Sequence, residues 1–292
     1  MRFLALSDQP GWHVDDLRRA AMARGHELEV CSWLALTGRV GMESAPAGAL
    51  TDADAVLVRT MPPGTLEQVI FRMDALHRLA AGDGHPRPGP RVLNSPRAVE
   101  IAVDKYLALA RIEAAGLHVP ATIACQRYAD AMRAFDELGR DVVIKSLFGS
   151  EGFGMTRISD RDLAARAFSQ LERMGNVIYV QQFIDHGGSD LRLFVIRDQV
   201  VAAMRRTSPT WRTNVARGGK PQAIEAAGEW KDMAIRAAAA CEATIAGVDL
   251  VIAPGGRACV LEVNAAPGWR AISSVTGIDV AARIIALAEE PA

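Results

Sequence analysis

The chain has 292 residues, half of them hydrophobic, with 33 Lys+Arg against 34 Asp+Glu and a formal charge of −1. That balance belongs to an ordinary globular protein with enough chain for one large or two to three small domains, and it excludes disordered, collagen-like and coiled-coil architectures. A charge near zero also argues against a protein that coats nucleic acid, because no excess of cations is present to displace counterions from phosphates.

Cys31, Cys125, Cys241 and Cys259 are scattered, without a C-x-x-C pair or neighbouring His cluster. Neither structural zinc nor a disulfide framework is expected, and reduced thiols point to the cytoplasm. Asp8 and Pro10 interrupt the N-terminal apolar run, which is too short for a signal peptide. No stretch approaches the roughly 18 apolar residues of a spanning helix, so no membrane partner is expected.

In chain order, residues 3–6, 28–31 and 55–58 read as strands, and 14–24 and 65–79 as helices. Strands separated by helices of this size predict a parallel α/β unit over residues 1–95. Residues 82–90 (GDGHPRPGP) predict a loop, and Ser95-Pro96 an N-cap followed by Pro at the first helical position. Helices are then expected over 97–115, 130–138 and 160–174, alternating with strands at 142–145 and 178–181. Residues 191–196 and 199–204 flank only Arg197-Asp198 and predict an antiparallel hairpin. A long Ala-rich helix is expected over 223–245, then a second hairpin of 249–253 and 258–263 around Pro254-Gly255-Gly256-Arg257. The whole predicts a parallel α/β unit followed by α+β units with antiparallel sheets, divided at 96–180 and 181–292.

Three features carry chemistry. Glu262 and Asn264 are two apart on a predicted strand and share a face. If Ala253 pairs with Ala258, Asp249 falls opposite Glu262, and three hard oxygen ligands converge as Mg²⁺ requires, with Mn²⁺ able to stand in. A solvated acidic hairpin face is the bland alternative, but an unpaired Glu262 within CVLEVNAAPG would be costly to bury. The segment VIKSLFGSEGFGM places Lys145 at a strand end before Gly149, Gly152 and Gly154, so that backbone N–H groups can wrap phosphates while Lys neutralises one. Neither a Walker A loop nor a G-x-G-x-x-G fingerprint is present, and alone this would be a Gly-rich turn. Residues 199–224 hold Arg205, Arg206, Arg212, Arg217 and Lys220 and no acidic residue, which suits a segment closing over a phosphate or carboxylate. RNA or an acidic protein tail would fit the same patch. Only four of the cationic residues are Lys (Lys105, Lys145, Lys220, Lys231), so each Lys hints at a site wanting a compact ammonium. Trp211 and Trp269, each beside an Arg, could stack on a substrate.

Taken in order, Asp104-Lys105, VIKSLFGSEGFG, VQQFI (180–184), Asp190/Arg192, NVARGG, GVDL and EVNAAPG resemble the ATP-grasp ligases, most closely the α-L-glutamate ligase branch of the ribosomal protein S6 modification enzyme, over roughly residues 92–288. VRTMPPGTLEQVIFRMDALHRL and NSPRAVEIAVDKY resemble the branch that adds glutamate to tetrahydromethanopterin-type cofactors. The resemblance implies that Lys105 and Lys145 hold ATP phosphates under a lid of Gly149, Ser150, Gly152 and Gly154. It implies that Gln181, Gln182, Phe183 and Ile184 border adenine, with Gln182 where the family often has Glu, and that Asp190 contacts the nucleotide. Asp249, Glu262 and Asn264 match its Mg²⁺ ligands. The implied reaction is activation of a carboxylate by ATP to an acyl phosphate, then amine attack. Arg205 is expected to stabilise the transferring phosphoryl group, and Arg217 and Asn214 to bind a substrate carboxylate. The expected partners are L-glutamate and a small-molecule acceptor, of tetrahydromethanopterin or methylofuran type, with a protein C-terminus second. A homo-oligomer follows from the resemblance. A non-catalytic nucleotide-binding module and an ATP-grasp phosphotransferase are the competing functions.

Overall fold

The structure, a computed structural model, describes residues 1–8, 11–41, 53–82, 89–149 and 154–290. Among these residues the strands form three sheets. The first contains β1 (Arg2–Leu6), β2 (Glu27–Cys31), β3 (Ala55–Val58) and β4 (Arg91–Leu93), all parallel in the order β2-β1-β3-β4. Helix α1 (Trp12–Ala23) covers one face and α2 (Leu66–Ala81) the other, because alternate strand residues point to opposite sides: Phe3, Ala5 and Leu57 meet Leu17 of α1, while Leu4, Val56 and Val58 meet Leu76 of α2. A capping box between Thr65 and Gln68 starts α2 and Gly82, at φ 72°, ends it. Most of the predicted loop at 82–90 lies outside the described residues.

Ser95 caps α3 (Pro96–Val103) as the Ser-Pro pair predicts. The single helix expected over 97–115 is broken, however. The Asp104 carboxylate accepts from the backbone N–H groups of Tyr106 and Leu107 at 2.9 and 3.0 Å and starts α4 (Lys105–Ala114). An Asp that bonds to its own backbone competes with helix propagation, and here it wins. Lys105 thereby becomes the first residue of α4.

The second sheet is antiparallel, in the order β5-β8-β6-β7: β5 (Thr122–Cys125), β6 (Val142–Lys145), β7 (Thr156–Ile158) and β8 (Ile178–Gln182). Helices α5 (Tyr128–Glu137) and α6 (Arg161–Arg173) pack on it through Phe135 and Phe168, and its core shares no member with the other sheets' cores. Its first and last strands pair, Thr122 opposite Gln181, and the Gln182 N–H donates to the Ala121 carbonyl at 2.8 Å. The chain therefore enters and leaves this unit at one place. The expected division after residue 180 falls inside β8, and α3 and α4 pack not on this sheet but with the third, through Ala98, Ile101, Ala108 and Ile112.

The third sheet runs β11-β10-β9-β12-β13, antiparallel throughout, from β9 (Ser189–Ile196), β10 (Gln199–Thr207), β11 (Lys220–Ala223), β12 (Ile245–Ile252) and β13 (Ala258–Asn264). The β9–β10 hairpin turns through Arg197-Asp198 as expected. The predicted long helix is shorter: α7 spans Gly228–Ala240, preceded by the edge strand β11 and followed by β12. Its N-cap, Ala227, makes no side-chain hydrogen bond, so the boundary carries no residue signal. Both faces of this sheet are buried. Leu193, Val195 and Ala203 pack against α4 and α7, and Phe194, Ala202 and Met204 against α1, α8 (Arg270–Thr276) and α9 (Val280–Ala288).

The first and third sheets are also joined by Asn94, which is buried. Its Nδ2 donates to the carbonyls of Ile245 and Ala265 at 2.6 and 2.5 Å, and its Oδ1 accepts from the Ile245 N–H at 2.8 Å. No single described helix is long and apolar enough to cross a membrane; α8 and α9 reach that length only together, bent by 115°.

Candidate active site

A cleft lies between the second and third sheets, lined by Lys145 and Gln182 on one side and Arg206, Asn214, Asp249 and Glu262 on the other. Strand β6 ends at Lys145, whose buried ammonium donates to Gln181 Oε1 at 2.7 Å. Gln181 is itself oriented by donating Nε2 to Thr122 Oγ1 at 2.9 Å. Burial pushes Lys145 down to about 8, with Glu262 opposing and Lys105 adding to the shift. From α4, Lys105 Nζ donates to the Gly149 carbonyl at 2.7 Å, at the start of the glycine loop. Burial lowers Lys105 too, against Glu262 and Asp104. Gly149 and Gly154 hold φ of 130° and 72°, conformations that favour glycine, and a Cβ on either would meet Ser146 Oγ at 3.0 and 3.4 Å. Ser150 and Gly152 lie outside the described residues.

All four residues of the expected adenine border, Gln181, Gln182, Phe183 and Ile184, line the cleft, and Gln181 also holds Lys145. Phe183 lies under the Arg157 guanidinium at 3.5 Å and edge-on to Trp211 at 6.3 Å, and Arg157 is fixed by both oxygens of Asp141. Arg212 stacks on Trp211 at 4.3 Å and donates to the Met155 carbonyl at 2.7 Å, tying the loop after β10 to the far end of the glycine loop.

On the third sheet four charges alternate. Arg206 meets both carboxylate oxygens of Asp190, with Nε to Oδ1 at 2.7 Å, and lies 3.0 Å from Asp249 Oδ2. Arg192 donates to the same Asp249 oxygen at 2.8 Å and meets Oδ1 through Nε. All four are buried. Burial alone would raise the Asp249 carboxyl, but Arg192 and Arg206 overcome it and hold it below its ordinary value. Arg206 is held above its own, its burial outweighed by Asp249 and Asp190. Asp190, expected on the nucleotide, is thus engaged as the partner of Arg206 while lining the cleft.

Asp249 does face Glu262, by a different route from the one expected. Ile252, not Ala253, pairs with Ala258, and Leu250 pairs with Val260. Leu261 is then the extra residue of a β-bulge, which restores the pairing of Asp249 with Glu262. Asn264 lies opposite Gly247, and its Oδ1 accepts from the Ala266 N–H at 2.9 Å. A side chain at Gly247 would fall 2.3 Å from the Arg192 guanidinium and 2.9 Å from the Pro267 ring, so glycine is required for Arg192 to reach Asp249. The donor set suits a hard cation. Asp249 Oδ1 is buried and accepts no well-directed hydrogen bond, and Glu262 forms no ion pair among the described residues. No cluster of three His, Cys, Asp or Glu side chains accompanies them among the described residues, so the other ligands would come from Asn264, water and phosphate.

Arg205 does not belong to this constellation. It pairs with Leu191 on the face covered by α7, while Arg206, one residue on, points into the cleft. Arg217 is exposed, on the 3₁₀ turn Val215–Arg217, and is absent from the cleft lining, which Asn214 shares. The sequence grouped Arg206 and Arg212 with Arg205 in one basic segment without separating the residue that faces the cleft, and it named Arg192 without its partner Asp249. The two-residue spacing of the Asp190/Arg192 motif puts both on one face.

A family model described as the RimK-like ATP-grasp domain matches residues 102–288. The tetrahydromethanopterin:α-L-glutamate ligase of Methanosarcina acetivorans is 32% identical over 265 residues, covering 81% of this chain and 80% of that protein. A probable α-L-glutamate ligase of Haemophilus influenzae strain Rd is 33% identical over 303 residues, covering 98% and 96%. The structure of the ATP-grasp ligase PsnB, complexed with minimal precursor, Mg and ADP, superposes with a TM-score of 0.75 at 23% identity, over 98% of this chain and 96% of that one. By these matches the chain belongs to the RimK-like ATP-grasp family of ligases.

Proposed function

We propose that this chain joins L-glutamate to a carboxylate-bearing small molecule, an acceptor of tetrahydromethanopterin or methylofuran type, as an ADP-forming carboxylate–amine ligase using ATP and Mg²⁺ in the cytoplasm. The observation that carries it is the Asp249–Glu262 face set across one cleft from buried Lys145. Relatives named as α-L-glutamate ligases support the amino acid, and the tetrahydromethanopterin enzyme among them supports the acceptor.

In this mechanism Lys145 and Lys105 neutralise ATP phosphates beneath the glycine loop. Gln182, Phe183 and Ile184 form the base's border, and main-chain contacts there do not depend on the Glu-to-Gln departure at 182. Asp249, Glu262 and Asn264 would hold Mg²⁺, which supplies charge neutralisation at the phosphates when bound. Arg206 replaces Arg205 as the guanidinium that faces the transferring phosphoryl group, with Asp190 fixing its plane. Asn214, and Arg217 if its loop closes, would bind a substrate carboxylate. The acceptor carboxylate attacks the terminal phosphorus, ADP leaves, and the glutamate amine displaces phosphate from the acyl phosphate to give the amide. A closed cleft shields the acyl phosphate from water. A homo-oligomer belongs to the same proposal, supported by Leu66, Ile70 and Phe71, which stand exposed along α2.

The test is ADP release with Mg²⁺ and ATP, with and without L-glutamate, across a pterin-type precursor, a furan-amine precursor and a Glu-ended peptide, followed by mass spectrometry. A glutamate-dependent mass gain on a small-molecule acceptor is expected. A gain on the peptide alone would move the acceptor to a protein C-terminus, a phosphorylated acceptor would make the protein a phosphotransferase, and ATP binding without turnover on any acceptor would favour the regulatory module.

A further inference from the structure

Arg59 stands at the end of β3, where the first sheet meets the loop that follows the carboxylate hairpin. It is 9% exposed, and among the described residues no carboxylate pairs with it. One of its N–H groups donates to the Pro267 carbonyl at 3.1 Å, and the guanidinium lies 4.6 Å from the Trp269 ring centroid. Nothing offsets its burial, which pushes it down to about 10. The two buried arginines of the third sheet, Arg192 and Arg206, each have a carboxylate in contact. Arg72, also buried, serves its own neighbourhood by donating to the Pro62 carbonyl at 2.8 Å, which holds the loop after Arg59. A guanidinium has five N–H donors, and a single carbonyl leaves most of this one's capacity unused.

The surroundings add positive charge, and the nearby carboxylate is already engaged by other donors. His13 Nε2 accepts from the N–H groups of Trp269 and Arg270 at 3.1 and 3.4 Å, so this nitrogen is unprotonated. Burial first, then Arg59, depresses His13 to about 4, so the ring is neutral near pH 7. The nearby carboxylate, Asp16, accepts from Trp269 Nε1 at 2.8 Å and from Arg19 Nε at 2.9 Å. Arg270 sits at the start of α8, over Trp12 at 5.6 Å. The position also fits the chemistry. Pro267 is three residues beyond Asn264, at most about 11 Å along the chain, and its ring and the Arg192 guanidinium that holds Asp249 both approach Gly247.

We infer that Arg59 is a recognition site for a substrate carboxylate other than the one being activated. That carboxylate belongs either to the incoming amino acid or to the acceptor, and the chemistry of recognition is the same: a guanidinium on the rim of the first sheet fixes an anion while the reacting group reaches the carboxylate hairpin. The inference rests on the ligase function proposed above. It assigns the parallel sheet a substrate-selecting part, with Pro267 and Trp269 setting the distance between the selected carboxylate and the phosphoryl-transfer groups.

The test is equilibrium binding to the full chain with Mg²⁺ and ADP, for wild type and Arg59→Gln. The probes are L-glutamate and its α-carboxamide for one source, and N-acetyl-L-glutamate and its two monoamides for the other. In wild type one carboxylate probe should bind roughly 10- to 100-fold more tightly than its amide. In Arg59→Gln that ratio should fall toward one with ADP affinity unchanged, and the probe that responds names the source. A ratio retained in Arg59→Gln, or a wild type that does not distinguish any carboxylate from its amide, would overturn the inference. If Arg59→Gln fails to bind ADP because it fails to fold, Arg59→Lys serves instead: a compact ammonium in place of the planar fork should keep only part of the discrimination, and full retention would count against the site. Absence of ADP binding by the wild type would be failure of the ligase function, which is a different result from ADP binding without Arg59-dependent selection.

Discussion

The two walls of the cleft hold their cations by opposite means. On the second sheet Lys145 is buried against a neutral amide, Gln181, and its pKa is pushed down. On the third sheet Arg206 is buried against two carboxylates, and its pKa is pushed up. A buried charge without a counter-charge is costly and ready for an anion, whereas one already paired is stable and fixed in direction. On the proposed function, Lys145 receives phosphate, and Arg206 is in place before phosphate arrives. The difference teaches that burial alone does not identify a ligand-binding cation; the chemistry of its protein partner does.

The contrast is tested most severely by removing one member from each wall. Lys145→Met should lower ATP-dependent turnover roughly 100-fold or more while leaving the urea midpoint unchanged or higher, since no partner charge is left unpaired. Asp249→Asn should lower unfolding free energy by about 3 to 5 kcal/mol, because Arg192 and Arg206 then share a buried site with too few carboxylates. Equal destabilisation by the two variants would break the comparison. Next in size, Arg206→Lys should reduce kcat on the order of tenfold through loss of the planar fork, with Arg205→Ala nearly silent; the reverse order would return the catalytic role to Arg205. Glu262→Gln should shift the Mg²⁺ titration of turnover to higher concentration by roughly tenfold or more without loss of fold, and an unchanged titration would remove Glu262 from the metal set.

Two smaller effects depend on pH. Lys145, held at about 8, is mostly charged at pH 7 and loses its proton as pH rises through 8, so ATP affinity measured by titration should weaken above that point. Because its folded value lies below the ordinary 10.5, the unfolded chain binds more protons between pH 8 and 10.5, and this group's contribution to stability rises with pH there. His13 behaves alike at lower pH. Its folded value near 4 lies below 6.5, so the unfolded chain takes up the proton first and thermal stability should decline as pH falls from 6.5 toward 4. His13→Gln should flatten that decline.

The sequence displayed the hairpins, the parallel opening sheet and the meeting of Asp249 with Glu262, because turn residues and two-residue spacing are local signals. It did not display which of Arg205 and Arg206 faces the cleft. Ala202, Ala203 and Met204 are all buried, since β10 is covered on both sides, and a doubly buried strand has no polar–apolar alternation to mark its phase. The bulge at Leu261 was equally silent, although its effect coincided with the register drawn without it. Asp104 broke a helix whose apolar periodicity runs straight through, because one side-chain cap decided the matter. Arg59 stood inside the VRTMPPG segment without a role of its own, because its missing carboxylate partner shows only in a three-dimensional neighbourhood.

The pairing of β5 with β8 makes the second sheet topologically an insertion. The segment 122–181 leaves the body and returns to it at neighbouring points, where Gln182 donates to the Ala121 carbonyl, and among the described residues its apolar core is its own. Such a segment can unfold and refold as a unit without disturbing what lies on either side. Its amide protons should exchange with deuterium at one common rate, separate from that of the first and third sheets, which are tied to each other by Asn94. It should also be exchangeable with the corresponding segment of another ATP-grasp enzyme through a splice at these two neighbouring points. In evolutionary terms, that would let the second sheet be replaced as a cassette while the Asp249–Glu262 hairpin stays where it is.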